Sequence, residues 1–189
     1  MRDLVVRALV AFVCLSGTAS GESESVLHCP RTSSSLVLVF SETPGGLSGN
    51  GLTLRVYGNG RFTVLRPPHE KDAGEWVGQL SSDEMEALCK ALVARRVHMF
   101  DARAVRAAKR AGGGRRTWIA TDPEATRFVV QTRVPHPDGS FTEGTETVSW
   151  IGLAADARQH PEIAALQDLA AIAGELRALT RDPRLQPAP

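Results

Sequence analysis

Apolar and polar residues alternate through much of the first half of the chain and predict a series of β-strands. Residues 36–40 (LVLVF) form a short apolar run rich in β-branched side chains, which is typical of a buried strand. Residues 52–56 and 61–65 alternate, and between them residues 57–60 (YGNG) contain the Asn-Gly pair that tight hairpin turns favour. These segments predict a β-hairpin, and residues 75–80 predict a further short strand.

The pattern changes to a helical period after residue 80. Ser81 and Glu84 are spaced as a capping box, in which each side chain accepts a hydrogen bond from the backbone N–H of the other residue. Apolar residues then recur at positions i, i+3, i+4, i+7 and i+8, which predicts one buried helical stripe. The stripe consists of Met85, Leu88, Cys89, Leu92 and Val93.

The second half of the chain predicts further strands and one more helix. Residues 118–121, 127–134 and 145–151 are strand candidates. The last two are joined through residues 135–139 (PHPDG), which favour a turn. Pro161 predicts the start of the final helix, because proline suits the first helical position. The apolar face of this helix is traced by Ile163, Leu166, Leu169, Ala170, Ala173 and Leu176.

This order of strands, helix, strands and helix indicates one α+β domain. We expect an antiparallel sheet of about four to six strands with two helices packed on one face. The domain is predicted over residues 35–180. Residues 20–34 are polar and without a period, which predicts a flexible lead-in, whereas residues 181–189 contain three prolines and predict a disordered tail.

The N-terminus has the features of a secretory signal peptide, predicted over residues 1–19. Its two arginines precede an apolar run, residues 8–15 (ALVAFVCL), that is too short to span a bilayer. The small residues at positions 16–21 contain more than one pair that signal peptidase would accept. We therefore expect a secreted or periplasmic protein with no transmembrane segment in the mature chain.

Charge and cysteine content add two constraints. The chain carries 22 basic and 21 acidic side chains, so nothing in the overall charge points to nucleic acid. Removal of the signal peptide leaves Cys29 and Cys89 in the mature chain. An oxidising compartment favours a disulfide between them; the alternative is a buried apolar Cys89 and a free Cys29 thiol.

No catalytic or metal-binding motif is complete in the sequence. Residues 69–73 (HEKDA) begin like the HExxH motif of zinc proteases, but alanine stands where the second histidine is required. Residues 46–50 (GLSGN) lack the spacing of a nucleophile elbow, and residues 112–117 lack the lysine of a P-loop. We therefore predict a non-enzymatic protein with no catalytic residues, metal or cofactor. A hydrolase assembled around His69 or His98 is the weakest alternative.

Basic side chains are concentrated in residues 95–116. The candidate anion-binding residues are Arg103, Arg106, Lys109, Arg110, Arg115 and Arg116. Such a segment suits an acidic protein surface, lipid headgroups or lipopolysaccharide. The alternative is a solvated helix face balanced by acidic residues elsewhere. Between Arg103 and Arg116 no aromatic residues interleave with the cations as stacking on nucleic acid would require.

Two short segments are arranged as in a known family. One is a glycine-rich loop, residues 44–49 (PGGLSG), that leads into the strand at residues 52–57. The other, residues 78–84 (GQLSSDE), opens a helix and is followed by residues 99–101 (MFD), a strand and a leucine-patterned final helix. Over residues 36–180 the chain resembles emfourin, a small bacterial inhibitor of thermolysin-like metalloproteases, and related bacterial envelope domains. The resemblance implies a secreted protease as protein partner and carries over no catalytic residue.

The sequence departs from the compact inhibitors by the basic residues 103–116 and by a loop at residues 135–144. We predict a secreted, non-enzymatic binding module, with protease inhibition as its most specific form. The alternative is an envelope protein that binds an anionic surface through residues 95–116. Exposed, glycine-bounded loops are common binding elements, and the candidate partner-binding loop consists of Gly45, Gly46, Leu47, Ser48 and Gly49.

Overall fold

In the part of the chain that the structure describes, eight strands form one antiparallel sheet. The computed structural model describes residues 25–30, 34–45, 51–112 and 123–189. Its strands are β1 (Val26–Leu27), β2 (Leu36–Thr43), β3 (Leu52–Tyr57), β4 (Arg61–Arg66), β5 (Gly74–Gln79), β6 (Ala125–Pro135), β7 (Phe141–Ile151) and β8 (Gln186–Pro187). Strands β2 to β5 follow one another as a meander, and β6 returns beside β2. The sheet order is therefore β7-β6-β2-β3-β4-β5-β8, with β1 pairing with β6 beyond the start of β2.

Four helices and one 3-10 turn complete the described part of the chain. They are α1 (Ser82–Ala94), the 3-10 turn (Val97–Met99), α2 (Ala102–Ala111), α3 (Leu153–Gln159) and α4 (Ala164–Leu179). The predicted α+β class with an antiparallel sheet is confirmed. The numbers of strands and helices both exceed the expectation, because several short elements carry no periodicity long enough to recognise.

The core lies between the helices and one face of the sheet. Leu38 and Phe40 of β2 point to this face, and their cross-strand neighbours on β3, Val56 and Leu54, point the same way. The Phe40 ring packs against the Phe128 ring of β6 at 5.3 Å between centroids. The helices contribute Leu88, Leu92, Leu166, Leu169, Ile172 and Leu176 to the same buried cluster. The opposite face carries Arg55, Arg61 and Arg127 among other polar side chains.

Two glycines are required by the geometry of the β3–β4–β5 meander. Gly60 has a φ of +81° in the predicted hairpin turn, where a side chain would be strained. Gly78 lies directly opposite Phe62, and a Cβ at this position would approach the phenyl ring. The absence of a side chain at Gly78 therefore lets the Phe62 ring lie flat across β5.

The predicted start of α1 is confirmed in detail. Ser81 Oγ accepts a hydrogen bond from the Glu84 N–H at 3.2 Å, and the Glu84 carboxylate accepts one from the Ser81 N–H at 2.7 Å. Arg184 adds a fork of two hydrogen bonds to the same carboxylate. These bonds, with Arg184 as the largest contributor, lower the pKa of Glu84 to about 2. Val93, however, is 52% exposed and does not belong to the predicted buried stripe.

Two boundaries in the second half of the chain differ from the sequence predictions. Residues 135–144 are not a loop: β6 and β7 pair as far as Pro135 and Phe141, which leaves a turn of residues 136–140. Pro161 lies in the turn between α3 and α4, and α4 begins at Ala164.

The segments at the two ends of the domain are also more structured than predicted. β8 pairs with β5, so the tail contributes to the sheet. In the lead-in, β1 pairs with β6. The predicted signal peptide and the strand candidate at residues 118–121 lie outside the described residues.

Cys29 and Cys89 form a disulfide that fastens the lead-in to α1. Their Cα atoms are 6.2 Å apart and the bond closes a loop across 60 residues. Both cysteines pack against the core cluster as partly buried side chains. The disulfide therefore ties the segment after β1, a strand that pairs with β6, to a helix on the covered face of the sheet.

Removal of this disulfide should destabilise the fold. We expect the C29A/C89A variant to lose about 4 kcal/mol of unfolding free energy, because a long loop is no longer closed in the unfolded state. Urea unfolding measures the loss. Wild-type protein in reductant should behave as the variant does, and equal stability of oxidised and reduced wild type would contradict the prediction.

Candidate functional site

A charged cleft opens at the end of the sheet where β2 ends and β3 begins. Its volume is about 460 Å³, within the range of ligand-binding clefts. Its ionisable lining residues are Glu42 of β2, Arg66 of β4, His69, Glu70 and Asp72 of the β4–β5 loop, Glu124 before β6, and Arg177 and Arg181 at the end of α4. Segments distant in sequence thus meet at one end of the fold.

The floor of the cleft is an ion pair between Glu42 and Arg177. Glu42 follows Leu38 and Phe40 in the register of the covered face, so its carboxylate points toward α4. The Arg177 Nε donates to both carboxylate oxygens at 2.8 and 2.7 Å, and Nη2 donates to Oε1. The Glu42 side chain is only 5% exposed. Because a buried carboxylate without a partner is costly, Arg177 is required here.

A second carboxyl group, that of Glu124, is influenced by the same pair. Partial burial and the negative charge of Glu42 raise the pKa of Glu124 above its usual value, while the Arg177 guanidinium opposes the shift. The pKa of Arg177 is raised, chiefly by its hydrogen bonds to Glu42. The Arg177 guanidinium therefore influences two carboxyl groups, but it donates its hydrogen bonds to Glu42.

One wall of the cleft is fixed by Arg66. Its Nη2 donates to the Thr180 carbonyl oxygen at 3.0 Å, which satisfies a carbonyl at the C-terminus of α4. Its Nη1 lies 3.6 Å from an Asp72 carboxylate oxygen, and its guanidinium lies 4.8 Å from the centroid of the Trp76 ring. The Trp76 indole in turn donates to the Asp72 carbonyl oxygen at 3.0 Å. These contacts hold the β4–β5 loop against α4.

The rim of the cleft carries charged side chains that form no ion pair within the described fold. Within the described part of the chain, no ion pair involves Glu70, Glu124 or Arg181. All three residues are exposed. The cleft thus combines a neutralised floor and wall with a rim of both signs, an arrangement suited to binding a partner with charged groups.

The predicted basic segment is a helix in its described portion. Asp101 caps α2 by accepting hydrogen bonds from the N–H groups of Arg103 and Ala104 at 2.8 and 2.9 Å. Val105 faces the core at 5% exposure. At 3.6 residues per turn, the four cations of α2 fall within an arc of about 120°. We call this set the basic stripe: Arg103, Arg106, Lys109 and Arg110.

The inner edge of the basic stripe is fixed by contacts with β7 and α3. Lys109 Nζ lies 2.5 Å from Asp156 Oδ2, and the Trp150 indole donates to the same oxygen at 2.7 Å. Arg106 and Lys109 both lie over the Trp150 ring, 5.4 and 5.6 Å from its centroid. Lys109 therefore serves the fold, whereas Arg103, Arg106 and Arg110 are exposed.

The other predicted site residues are placed only in part. Gly45 is described, but Gly46, Leu47, Ser48 and Gly49 lie outside the described residues, as do Arg115 and Arg116. Pro44 and Leu52, which flank this loop, line the charged cleft. The predicted partner-binding loop therefore leaves and re-enters the fold at the rim of the cleft.

The cleft itself was missed by the sequence analysis. The signal that could have revealed its floor is a carboxylate, Glu42, placed in the buried register of an otherwise apolar strand. Its partner Arg177 lies 135 residues away, and single-sequence periodicity gives no indication of which cation meets it.

Comparison with known proteins adds no relative. No known protein family, curated protein or solved structure matches the chain. The resemblance to emfourin therefore stays a prediction. Among the residues that the structure describes, no three His, Cys, Asp or Glu side chains converge as metal ligands, and no helix has the length and apolar composition to cross a membrane.

Removal of one partner of the buried ion pair should lower the unfolding free energy more than replacement of both partners by apolar side chains. We expect Glu42→Leu alone to lower the unfolding free energy by about 3 kcal/mol, because Arg177 is left without its partner. The E42L/R177M double variant should recover much of that loss. Urea unfolding of both single variants and the double variant measures the coupling. As a control, Glu143→Gln removes an exposed partner of Arg133 and should change stability by less than about 1 kcal/mol. Additive losses in the double variant would contradict the prediction.

Glu124 and Glu84 should give opposite pH dependences. The raised pKa of Glu124 means that its ionisation destabilises the folded state, so Glu124→Gln should be more stable than wild type at pH 7 and equal to it in acid. The lowered pKa of Glu84, about 2, means that Glu84→Gln should lose stability at pH 7, with the difference vanishing as pH falls from about 4.5 towards 2. Denaturant midpoints across this range measure both effects. A change of stability in the same direction for both variants at pH 7 would contradict the opposite pKa shifts of Glu124 and Glu84.

Proposed function

We propose that this protein is a non-enzymatic binding module that acts outside the cytoplasm and engages a protein partner through the charged cleft. The observation that supports this most is the combination of a fixed floor and wall with an unpaired, mixed-charge rim. Charged side chains inside the cleft are paired with one another, so they fix the shape of the cleft and make it rigid. Charges on the rim are available to orient a partner.

The compartment is supported by the disulfide and by the N-terminal sequence. A disulfide such as Cys29–Cys89 persists in oxidising compartments and is rare in the reducing cytosol. The signal-peptide pattern at residues 1–19 agrees with export. Both point to a secreted or periplasmic protein.

Protease inhibition is the most specific form of the proposal. It draws on the resemblance to emfourin and on the position of the glycine-rich loop, whose flanking residues Pro44 and Leu52 lie at the rim of the cleft. In this form the loop fills the substrate cleft of a secreted metalloprotease, and Glu70, Glu124 and Arg181 set the orientation. No covalent step or cofactor is involved.

A titration against a thermolysin-like metalloprotease tests this form. We expect selective loss of protease activity near one molar equivalent, with a serine protease unaffected. Leu47→Asp should weaken inhibition at least tenfold, because a charge would replace the apolar side chain that enters the protease. Rim variants E70K and E124K should weaken it through slower association.

The matched control is Glu143→Gln, which removes a charge at the opposite end of β7 and should inhibit like wild type. Undiminished protease activity, with the added protein still intact, would refute inhibition. Equal inhibition by wild type and by the loop and rim variants would refute binding at the cleft.

A further inference from the structure

The basic stripe of α2 forms a second surface, separate from the charged cleft. Arg103, Arg106 and Arg110 are exposed, and Arg106 lies over the Trp150 ring of β7. The other flank of α2 carries only alanines: Ala104, Ala107, Ala108 and Ala111. The cations are thus concentrated on one side and presented together.

The carboxylates that surround the stripe are already engaged. Asp101 accepts hydrogen bonds from the first turn of α2. Asp156 holds Lys109 and the Trp150 indole. Glu162, near the end of α2 at Gly112, contacts His160. Among the described residues, no ion pair neutralises Arg103, Arg106 or Arg110. The stripe therefore presents three cations to an external anion.

An exposed apolar side chain lies beside Arg106 of the stripe. Ile151, the last residue of β7, is 64% exposed. It lines a cavity of about 340 Å³ together with Arg106, Lys109, Ser149 and Trp150. An acidic protein or a soluble polyanion would gain from the arginines alone. An anionic bilayer would gain from both, because its phosphates meet the arginines and its interface accepts the isoleucine.

The position of the tryptophan argues against single-stranded nucleic acid. Binding of this kind uses aromatic rings on which bases stack. The Trp150 ring is covered by Arg106 and Lys109 and is 4% exposed, so it offers no free face.

We propose that the basic stripe and Ile151 dock the protein on the surface of an anionic lipid bilayer. The arginine guanidiniums bind lipid phosphates, for which their planar donors are suited. Ile151 inserts its side chain at the level of the headgroups, and the sheet stays outside the membrane. The surface is independent of the charged cleft, so its occupancy does not depend on the function proposed there.

The contributions can be separated by substitution. An arginine near an anionic membrane surface adds about a fivefold gain in binding, so loss of all three should weaken binding about a hundredfold. Burial of an exposed isoleucine side chain contributes roughly a tenfold gain. The two effects should differ in salt dependence, because screening weakens only the first.

Sedimentation of the purified chain with vesicles tests the proposal. Vesicles of phosphatidylcholine with one-third phosphatidylglycerol should bind the wild type, and pure phosphatidylcholine should not. The R103Q/R106Q/R110Q variant should lose about a hundredfold on anionic vesicles. R103Q/R110Q should bind anionic vesicles about twenty-fivefold more weakly than the wild type. Because it keeps Arg106 over Trp150, this variant tests the arginines of α2 even if the triple variant does not fold.

Two controls identify the surface and the partner. R55Q/R61Q makes the same change in net charge as R103Q/R110Q, but on β3 and β4 of the uncovered face, and should bind nearly as the wild type does. Ile151→Ser should lose roughly tenfold on anionic vesicles but be retained unchanged on a sulfated polysaccharide matrix. Equal losses in R55Q/R61Q and R103Q/R110Q would overturn the assignment to α2. Vesicle binding that is unaffected by Ile151→Ser, or absent in the wild type, would overturn the assignment to a bilayer. Protease titration should be unchanged in every stripe variant.

Discussion

The ion pair between Glu42 and Arg177 is the interaction on which the end of the molecule that contains the charged cleft depends. Glu42 ends a strand whose other inward side chains are apolar, so its charge must be met from the helix layer. Arg177 meets it and thereby fixes the last turns of α4 over the sheet. Arg66 then bonds the Thr180 carbonyl and holds the β4–β5 loop against the same helix end. One buried charge thus determines where two further segments lie.

Charged side chains in this protein fall into two groups: those paired within the fold, and those left free to contact a partner. A protein surface normally carries many weak, solvent-exposed ion pairs. Here the Glu42–Arg177 and Arg66–Asp72 pairs lie within the cleft and the buried Asp156 pairs with Lys109 of α2, whereas the unpaired charges described so far lie on the cleft rim and on α2. Glu124 belongs to both groups, because its pKa is perturbed by the buried pair while its side chain reaches the rim. The backbone of Glu124 also accepts a hydrogen bond from Gly152, next to Ile151, so the start of β6 adjoins both surfaces.

Features set by short-range physics could be predicted from the sequence. The β3–β4 hairpin follows from alternation around an Asn-Gly turn, and the start of α1 follows from a capping box, both of which involve residues at most a few positions apart. Features set by tertiary contacts could not. The first third of β7, residues 141–144 (FTEG), has no strand-like alternation and is extended because β6 offers a partner. α3 is too short to show a period, and β8 exists only because it meets β5.

The candidate sites divide in the same way. The cations of α2 lie within a few turns of one helix and could be found in the sequence. The neutralisation of Lys109 by Asp156 and the proximity of Ile151 depend on how α2 packs against β7. The charged cleft draws on β2, β4, the segment before β6 and α4, so no local pattern could assemble it.

Amide hydrogen exchange on the Glu42→Gln variant tests the central role of the buried pair most directly. We expect faster exchange confined to the last two turns of α4, the end of β2 and residues 67–73, with the β1–β6 pairing and the first turn of α1 unchanged. Uniformly faster exchange throughout the sheet, or no change near the C-terminus of α4, would contradict it.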